Sequence, residues 1–114
     1  MNVGIDSIEI SRIEKSLEIK GFLEIEFFKS RNMRAESIAA NFAAKEAFSK
    51  ALGTGIRGFS LSEISVLRDR LGAPYIKLSG KALEAAKGLS FKVSITHTKT
   101  TASAIVLAID EVNV

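Results

Sequence analysis

The stretch from Ser37 to Ile56, SIAANFAAKEAFSKALGTGI, constrains the fold more than any other part of the chain. It predicts one helix that ends at Gly53, because glycine after an apolar-periodic run is the usual helix stop. Of the fifteen residues from Ile38 to Leu52, ten are Ala, Ile, Leu or Phe, so apolar side chains point almost everywhere around the helix axis. A helix that is apolar on all sides belongs in the interior of a domain. We therefore expect the rest of the chain to pack around it.

Two charged residues of this helix, Glu46 and Lys50, lie in the same sector as the apolar Phe42 and Ala43. Charges with apolar neighbours cost free energy unless something pairs with them. The two side chains could pair with each other, since a Glu–Lys pair at this spacing contributes about 0.2–0.5 kcal/mol. Alternatively, the carboxylate binds a metal ion and the lysine binds an anion. The spacing alone leaves both interpretations open.

The composition is typical of a small folded protein. We expect residues 1–114 to form one domain, folded throughout, since 46% of the residues are hydrophobic and only one is proline. The absence of cysteine excludes a disulfide framework and thiolate chemistry and favours a reducing compartment, so we expect a cytoplasmic protein. Neither the N-terminal residues nor the apolar run 104–109 is typical of a signal peptide or a membrane span. The net charge of +3 fits an anionic partner but does not choose among nucleic acid, nucleotide and acidic protein.

The N-terminal part of the chain predicts a strand and a helix. Asn2–Ile5 alternates weakly and predicts a short strand with Asp6 at its end, followed by a helix from Ser7 that closes at Gly21. Asp6 and Glu9 match a capping box, in which Asp6 would accept a hydrogen bond from a helix N–H. A carboxylate at a strand end could instead face a ligand cleft. Both interpretations of Asp6 remain open at this point.

The segments that flank the central helix are less regular. Phe22–Phe28 predicts one or two helical turns, and three cations, Lys29, Arg31 and Arg34, precede the helix. These cations fit a solvated loop, or an anion site at the helix N-terminus. The connection GTGIRGFS after the helix permits close approach of backbone to a ligand, but it matches neither a Walker A loop nor GxGxxG.

The C-terminal half predicts a hairpin, a short helix and two further strands. The predicted elements are strands Leu61–Leu67 and Pro74–Leu78, a helix Ser79–Gly88 with Ser79 as a cap, and strands Phe91–Thr98 and Thr101–Ile109. His97 follows Ile95 on the apolar face of its strand, where it is either a core residue or a ligand-binding residue. The predicted fold class is α+β, a small, mostly antiparallel sheet of three to five strands wrapped around a long apolar helix.

Three stretches match the motifs of a known family in order and spacing. GIDSIEISRI resembles GIDxxExxRI, FAAKEAFSKALGTGI resembles FAxKEAxxKAxGTG, and SITHTKTTASAIV resembles S[IV][ST]HxxxxAxAxV. Together with LGAPYIKLSG, they make the chain similar to the holo-[acyl-carrier-protein] synthases, a type of 4′-phosphopantetheinyl transferase, from Gly4 to about Val106. The resemblance implies Mg²⁺-dependent transfer of 4′-phosphopantetheine from coenzyme A to a serine hydroxyl of apo acyl carrier protein, with release of adenosine 3′,5′-bisphosphate.

The resemblance also implies roles for individual residues. Asp6 and Glu46 match the two metal ligands, and Lys50 matches a lysine near the pyrophosphate; these three are the predicted catalytic residues. The predicted coenzyme A-binding residues are Lys50, Gly53, Gly55, His97 and Thr98. Arg12 matches the arginine that docks the acidic carrier protein. The resemblance also implies a homotrimer with coenzyme A in clefts between subunits. We expect neither nucleic acid nor a membrane as a partner.

The chain departs from the family pattern before the central helix. The segment between Phe22 and Phe42 is shorter than expected, and Asn41 stands where a basic residue that binds the 3′-phosphate of coenzyme A is common. Arg31 or Arg34 could substitute for it. The general base is undetermined between Glu9 and a metal-bound water. Two other classes stay in consideration: a non-catalytic nucleotide- or RNA-binding module, and a structural oligomer subunit with a decayed site.

Overall fold

A computed structural model of the protein describes residues 1–17, 35–53 and 58–111. A short 3₁₀ turn, Leu61–Glu63, precedes the second strand. The described helices and strands are, in chain order, β1 (Asn2–Glu9), α1 (Ile10–Leu17), α2 (Ala35–Leu52), β2 (Ile64–Arg68), β3 (Pro74–Leu78), α3 (Gly80–Ala85), β4 (Leu89–His97) and β5 (Thr101–Asp110). The fold is therefore α+β. Predictions for Gly21, for Phe22–Phe28, for the cations 29–34 and for Gly55 lie outside the described residues.

The strands form a three-stranded antiparallel sheet and a two-stranded hairpin. In the larger sheet β5 lies between β1 and β4, with Asp6 opposite Ala104 and Ile95 opposite the same residue on the other side. Alternate β5 residues face α2 and are fully buried. Three of the four are alanines: the buried residues are Ala102, Ala104, Val106 and Ala108. Small side chains on this face let the helix pack closely on the sheet.

The helix α2 ends where the sequence predicted. Gly53 follows its last residue with φ 88° and donates its N–H to the carbonyl of Lys50 at 3.0 Å. The left-handed conformation at this position is one that glycine adopts without a Cβ penalty. Among the described residues, no helix is long and apolar enough to cross a membrane.

Gly4 sets the contact between β1 and α2. A Cβ atom at this position would overlap the backbone carbonyl oxygen of Ala47 and crowd the backbone of Ala51. Only glycine therefore lets the strand approach the helix backbone this closely. Because alternate residues of a strand face the same side, Asp6 is also directed towards α2.

The N-terminal strand is longer than predicted. It runs to Glu9, which pairs with Thr101 of β5, whereas the sequence predicted a strand that stops at Ile5. Asp6 therefore lies in the middle of a strand and does not cap a helix. The capping-box interpretation of Asp6 and Glu9 is wrong, because β5 is long enough to pair with the whole segment.

The predicted hairpin is present, with a later start. Residues 61–63 form the 3₁₀ turn instead of the beginning of a strand, and β3 has the predicted bounds. Asp69 closes the hairpin turn, since its Oδ1 accepts the N–H groups of Leu71 and Ala73 at 2.8 and 2.9 Å.

Glu63, not Ser79, caps the short helix α3. The Ser79 side chain makes no capping hydrogen bond. The carboxylate of Glu63 instead accepts the N–H groups of Lys81 and Ala82, at 3.2 and 3.3 Å. These bonds lower the pKa of Glu63, led by that from Lys81. A carboxylate from a distant turn can take the place of a local cap because it satisfies the same N–H groups.

Candidate active site

Asp6 of β1 and Lys50 of α2 meet across the interface between the sheet and the helix. The Nζ atom of Lys50 lies 3.0 Å from Oδ1 of Asp6 and donates a second hydrogen bond, at 3.1 Å, to the carbonyl oxygen of Ile5. Lys50 is thus held by two acceptors of the same strand. The Lys50 side chain is half exposed, so its ammonium can also reach a ligand in solvent.

Glu46 lies one helical turn before Lys50 and close to Asp6. Partial burial of Glu46 raises its pKa, the negative charge of Asp6 raises it further, and the positive charge of Lys50 opposes both. Of the two interpretations left open by the sequence, the ion pair between Glu46 and Lys50 is not the one that forms, because Lys50 makes its ion pair with Asp6. The packing of β1 on α2 therefore determines that Lys50 pairs with Asp6 instead of Glu46.

The site fits a hard divalent cation. Two neighbouring carboxylates repel each other, and a cation bound between them lowers the free energy of the pair. Among the described residues no group of three or more His, Cys, Asp or Glu side chains could hold a metal ion by itself. Mg²⁺ commonly binds through one or two carboxylates and completes its octahedral shell with phosphate oxygens and water. The pair Asp6 and Glu46 therefore fits a Mg²⁺ ion that also contacts a phosphate-bearing substrate.

Lys45 is a buried charged residue to which sequence reasoning assigned no role. Its side chain is 1% exposed, and its Nζ donates a hydrogen bond to the carbonyl of Leu61 at 3.1 Å. Burial lowers the pKa of Lys45 to about 7. Lys45, the residue next to Glu46, thus connects α2 to the 3₁₀ turn that leads into β2. Its position in an alanine-rich part of the helix was the only signal of this burial in the sequence.

His97 and Thr98 lie at the turn between β4 and β5. His97 is exposed, so it is not a core residue even though the strand's alternation directs it to the apolar face. Thr98 organises the turn, since its Oγ1 accepts the N–H groups of Thr100 and Thr101 at 3.2 and 3.1 Å.

The structure does not bring His97 to Asp6 within one chain. His97 of β4 pairs with Ala102 of β5, and Asp6 of β1 pairs with Ala104 of β5. The two residues are therefore two strands apart across the sheet and two residues apart along the strand direction. This offset corresponds to about 12 Å between the backbones. A ligand bound by both residues of the same chain would have to bridge that distance.

The remaining predicted residues lie at separate positions. Gly53 is exposed and follows α2 three residues after Lys50, at the same end of the helix. Arg12 is exposed on α1, where it is available to a partner.

The fold and this site together define the class of the protein, a small α+β domain with the fold of the holo-[acyl-carrier-protein] synthases. The Helicobacter pylori enzyme of that name, solved in complex with coenzyme A, is 35% identical, with a TM-score of 0.79 and coverage of 93% of this chain and 98% of the other. The Bacillus anthracis enzyme, solved in complex with coenzyme A (3′,5′-ADP), is also 35% identical, with a TM-score of 0.76 and coverage of 96% and 95%.

The sequence comparisons agree with the structural ones. The holo-[acyl-carrier-protein] synthase of Treponema denticola is 47% identical over 118 residues, which covers 94% of this chain and 96% of the relative. The model of the 4′-phosphopantetheinyl transferase superfamily matches residues 2–106. The chain belongs to the 4′-phosphopantetheinyl transferase superfamily.

Proposed function

We propose that this protein is a holo-[acyl-carrier-protein] synthase, which transfers 4′-phosphopantetheine from coenzyme A to a serine hydroxyl of apo acyl carrier protein. The observation that carries the proposal is the meeting of Asp6 with Glu46 and Lys50 at one point between β1 and α2. These residues come from different motifs and are distant in sequence, and they converge in a fold shared with enzymes solved with coenzyme A. The arrangement suits a substrate with a diphosphate.

In this proposal the serine oxygen attacks the phosphorus on the pantetheine side of the diphosphate. The bond from that phosphorus to the bridging oxygen breaks, adenosine 3′,5′-bisphosphate leaves, and the proton of the serine hydroxyl is released to solvent. Negative charge builds on the phosphate oxygens, so catalysis depends mainly on positioning and on charge neutralisation. Asp6 and Glu46 would hold Mg²⁺, which when bound supplies positive charge to these oxygens.

Lys50 supplies the chain's own positive charge at this position. Its ammonium is held by Asp6 and by the carbonyl of Ile5. A diphosphate oxygen offers a stronger, charged acceptor than the carbonyl. We propose that Lys50 exchanges the carbonyl of Ile5 for the diphosphate and stays paired with Asp6, so that substrate binding needs little movement of the helix.

We further propose that the active form is a homotrimer in which His97 and Thr98 of one copy complete the coenzyme A site of the next. The outer face of the three-stranded sheet supports this arrangement, because Val3, Ile5 and Ile105 are 55%, 63% and 39% exposed there. Apolar side chains grouped on one exposed face are typical of an interface.

The carrier protein would dock on α1. Arg12 is exposed there, and the chain carries a net charge of +3. A positive surface speeds association with an acidic partner. We propose that Gly53 lies close to coenzyme A, as the family motif implies, since it is exposed beside the end of the helix that carries Lys50.

The experiment that tests the function is intact-mass analysis of apo acyl carrier protein after incubation with this protein, coenzyme A and Mg²⁺. We expect the carrier to gain one phosphopantetheine group, and the gain to be abolished by EDTA and by Glu46→Gln. Glu84→Gln is the matched control, because Glu84 is exposed on α3. Coenzyme A binding by the folded protein without transfer to several carrier proteins would contradict the proposal and favour a non-catalytic nucleotide-binding module.

A further inference from the structure

The ammonium of Lys50 is itself a cation at the two carboxylates. Its Nζ lies 3.0 Å from Oδ1 of Asp6, whose side chain is only 18% exposed, so solvent screens this carboxylate incompletely. The charge of Lys50 also reaches Glu46. Burial raises the pKa of Glu46, the charge of Asp6 raises it further, and the charge of Lys50 lowers it. Lys50 therefore compensates part of the negative charge that a metal ion would bind.

The backbone of β1 helps to hold this ammonium in place. Nζ of Lys50 donates a second hydrogen bond, at 3.1 Å, to the carbonyl oxygen of Ile5, the residue before Asp6. The strand approaches α2 closely here, because Gly4 has no Cβ that would overlap the helix backbone. Two acceptors on one strand keep the charge of Lys50 beside Asp6 instead of in solvent.

A count of charges indicates what this lysine does to ligand binding. Asp6 and Glu46 contribute two negative charges and Lys50 one positive charge, which leaves one net negative charge. A divalent cation bound alone would make the cluster positive and would lie close to an ammonium that repels it. The diphosphate of coenzyme A carries two negative charges. A cation and a diphosphate bound together therefore return the cluster to one net negative charge.

We propose that Lys50 lowers the affinity of Asp6 and Glu46 for a divalent cation on its own, so that the cation is held tightly only together with the diphosphate. The inference rests on the proposed function and deepens it. It gives one side chain opposite effects on two ligands, since the ammonium repels the cation and attracts the diphosphate. When two ligands favour each other in this way, each raises the affinity of the other by the same factor.

The test measures two affinities in Lys50→Met. The first is for Mn²⁺ alone, a hard divalent cation that also prefers carboxylate oxygens, measured by electron paramagnetic resonance of the free ion. It should rise by about tenfold or more, because a repelling charge has been removed from a partly buried site. The second is for coenzyme A in the presence of Mg²⁺, measured by calorimetry. It should fall by about tenfold or more, because a charge-assisted hydrogen bond is lost.

Two further variants separate charge from other effects of the substitution. Lys50→Arg keeps the positive charge and should keep the weak affinity for Mn²⁺. Lys87→Met removes a positive charge at an exposed position and should leave both affinities unchanged. An equal rise of Mn²⁺ affinity in Lys50→Arg and Lys50→Met would overturn the inference, because the rise would then follow from shape instead of charge.

Two other results would also overturn it. Loss of affinity for both ligands in Lys50→Met would indicate that Lys50 only maintains the structure of the site. An unchanged Mn²⁺ affinity would show that the ammonium does not oppose the cation. Failure of the proposed function is distinguishable from these results. It would be seen as no transfer in the mass assay, or as Mn²⁺ binding to Lys50→Met that persists when Glu46→Gln is added.

Discussion

Lys50 of α2 donates a hydrogen bond to the carboxylate of Asp6 on β1 across 3.0 Å, and the same ammonium also binds the carbonyl of Ile5. The contact fixes the position of the helix relative to the strand at the point where Glu46 approaches Asp6. One lysine therefore balances part of the charge of two carboxylates and is directed to the position where the diphosphate would bind. The first prediction concerns this contact.

Lys50→Met should reduce transfer strongly with little effect on folding. Removal of one preorganised donor to a developing negative charge costs about 10²–10³ in kcat. Because the Lys50 side chain is half exposed, we expect no large loss of stability. Transfer rates and thermal melting should be measured together, with Lys87→Met as the control because Lys87 is exposed. A variant with wild-type kcat would remove Lys50 from the catalytic residues.

Gly4→Ala should lower both stability and activity, because the added Cβ overlaps the backbone of α2 at Ala47. Overpacking of this kind costs about 1–3 kcal/mol of unfolding free energy. Relief of this overlap requires β1 to move away from α2, and Asp6 moves with the strand. The matched control is Gly88→Ala, which has open space but a φ of 83°, so it costs about 1–2 kcal/mol through backbone strain alone.

The comparison of these two glycine variants is made on activity per folded molecule. Denaturant titration gives the stability of each, and the mass assay gives transfer at a temperature where both are folded. We expect Gly88→Ala to retain activity and Gly4→Ala to lose it. Equal activities would show that the distance between β1 and α2 does not control the site.

Lys45 should make the protein more stable as the pH rises above neutrality. Burial holds the pKa of Lys45 at about 7, below the ordinary value of 10.5, so between these values the unfolded chain binds a proton that the folded chain lacks. Unfolding free energy therefore increases with pH across this window. Lys45→Met should remove that increase, and Lys81→Met, at an exposed position, should keep it. Parallel pH dependences of unfolding for wild type and Lys45→Met would contradict the prediction.

A shared site predicts complementation between two inactive variants. Glu46→Gln and His97→Ala should each lose transfer or coenzyme A affinity alone. When the two chains are mixed and reassembled as trimers, about a quarter of the sites combine an intact Glu46 with an intact His97 from the next copy. Recovery of a corresponding part of the wild-type activity would be measured by the mass assay.

The control for complementation is a mixture of Glu46→Gln with Lys50→Met. Both changes lie in the same half of the site, so no mixed site within the assembly is complete. No recovery in the first mixture would argue that each chain forms its whole site. Recovery in this control would argue that Glu46 and Lys50 act in different copies. Analytical ultracentrifugation of the wild type gives the number of copies independently.

Local pattern in the sequence predicted much of the fold. The end of α2 at Gly53 and the bounds of β3 followed from apolar periodicity and from turn residues, because these depend on neighbours within one element. The motifs also identified the family, which the comparisons confirm. The metal-binding and substrate-binding roles of Asp6, Glu46, Lys50 and His97 stay predictions.

Only the tertiary structure decided which charged groups meet. The sequence left open whether Glu46 and Lys50 pair with each other and whether Asp6 caps a helix, and the packing of β1 on α2 decides that Lys50 pairs with Asp6. The same holds for the bond of Lys45 to Leu61 and for that of Arg68 to Asn41. Periodicity specifies which face of an element is buried, whereas a contact between distant side chains depends on how closely two elements approach. In this protein that approach is set at Gly4, where a missing Cβ brings strand and helix together.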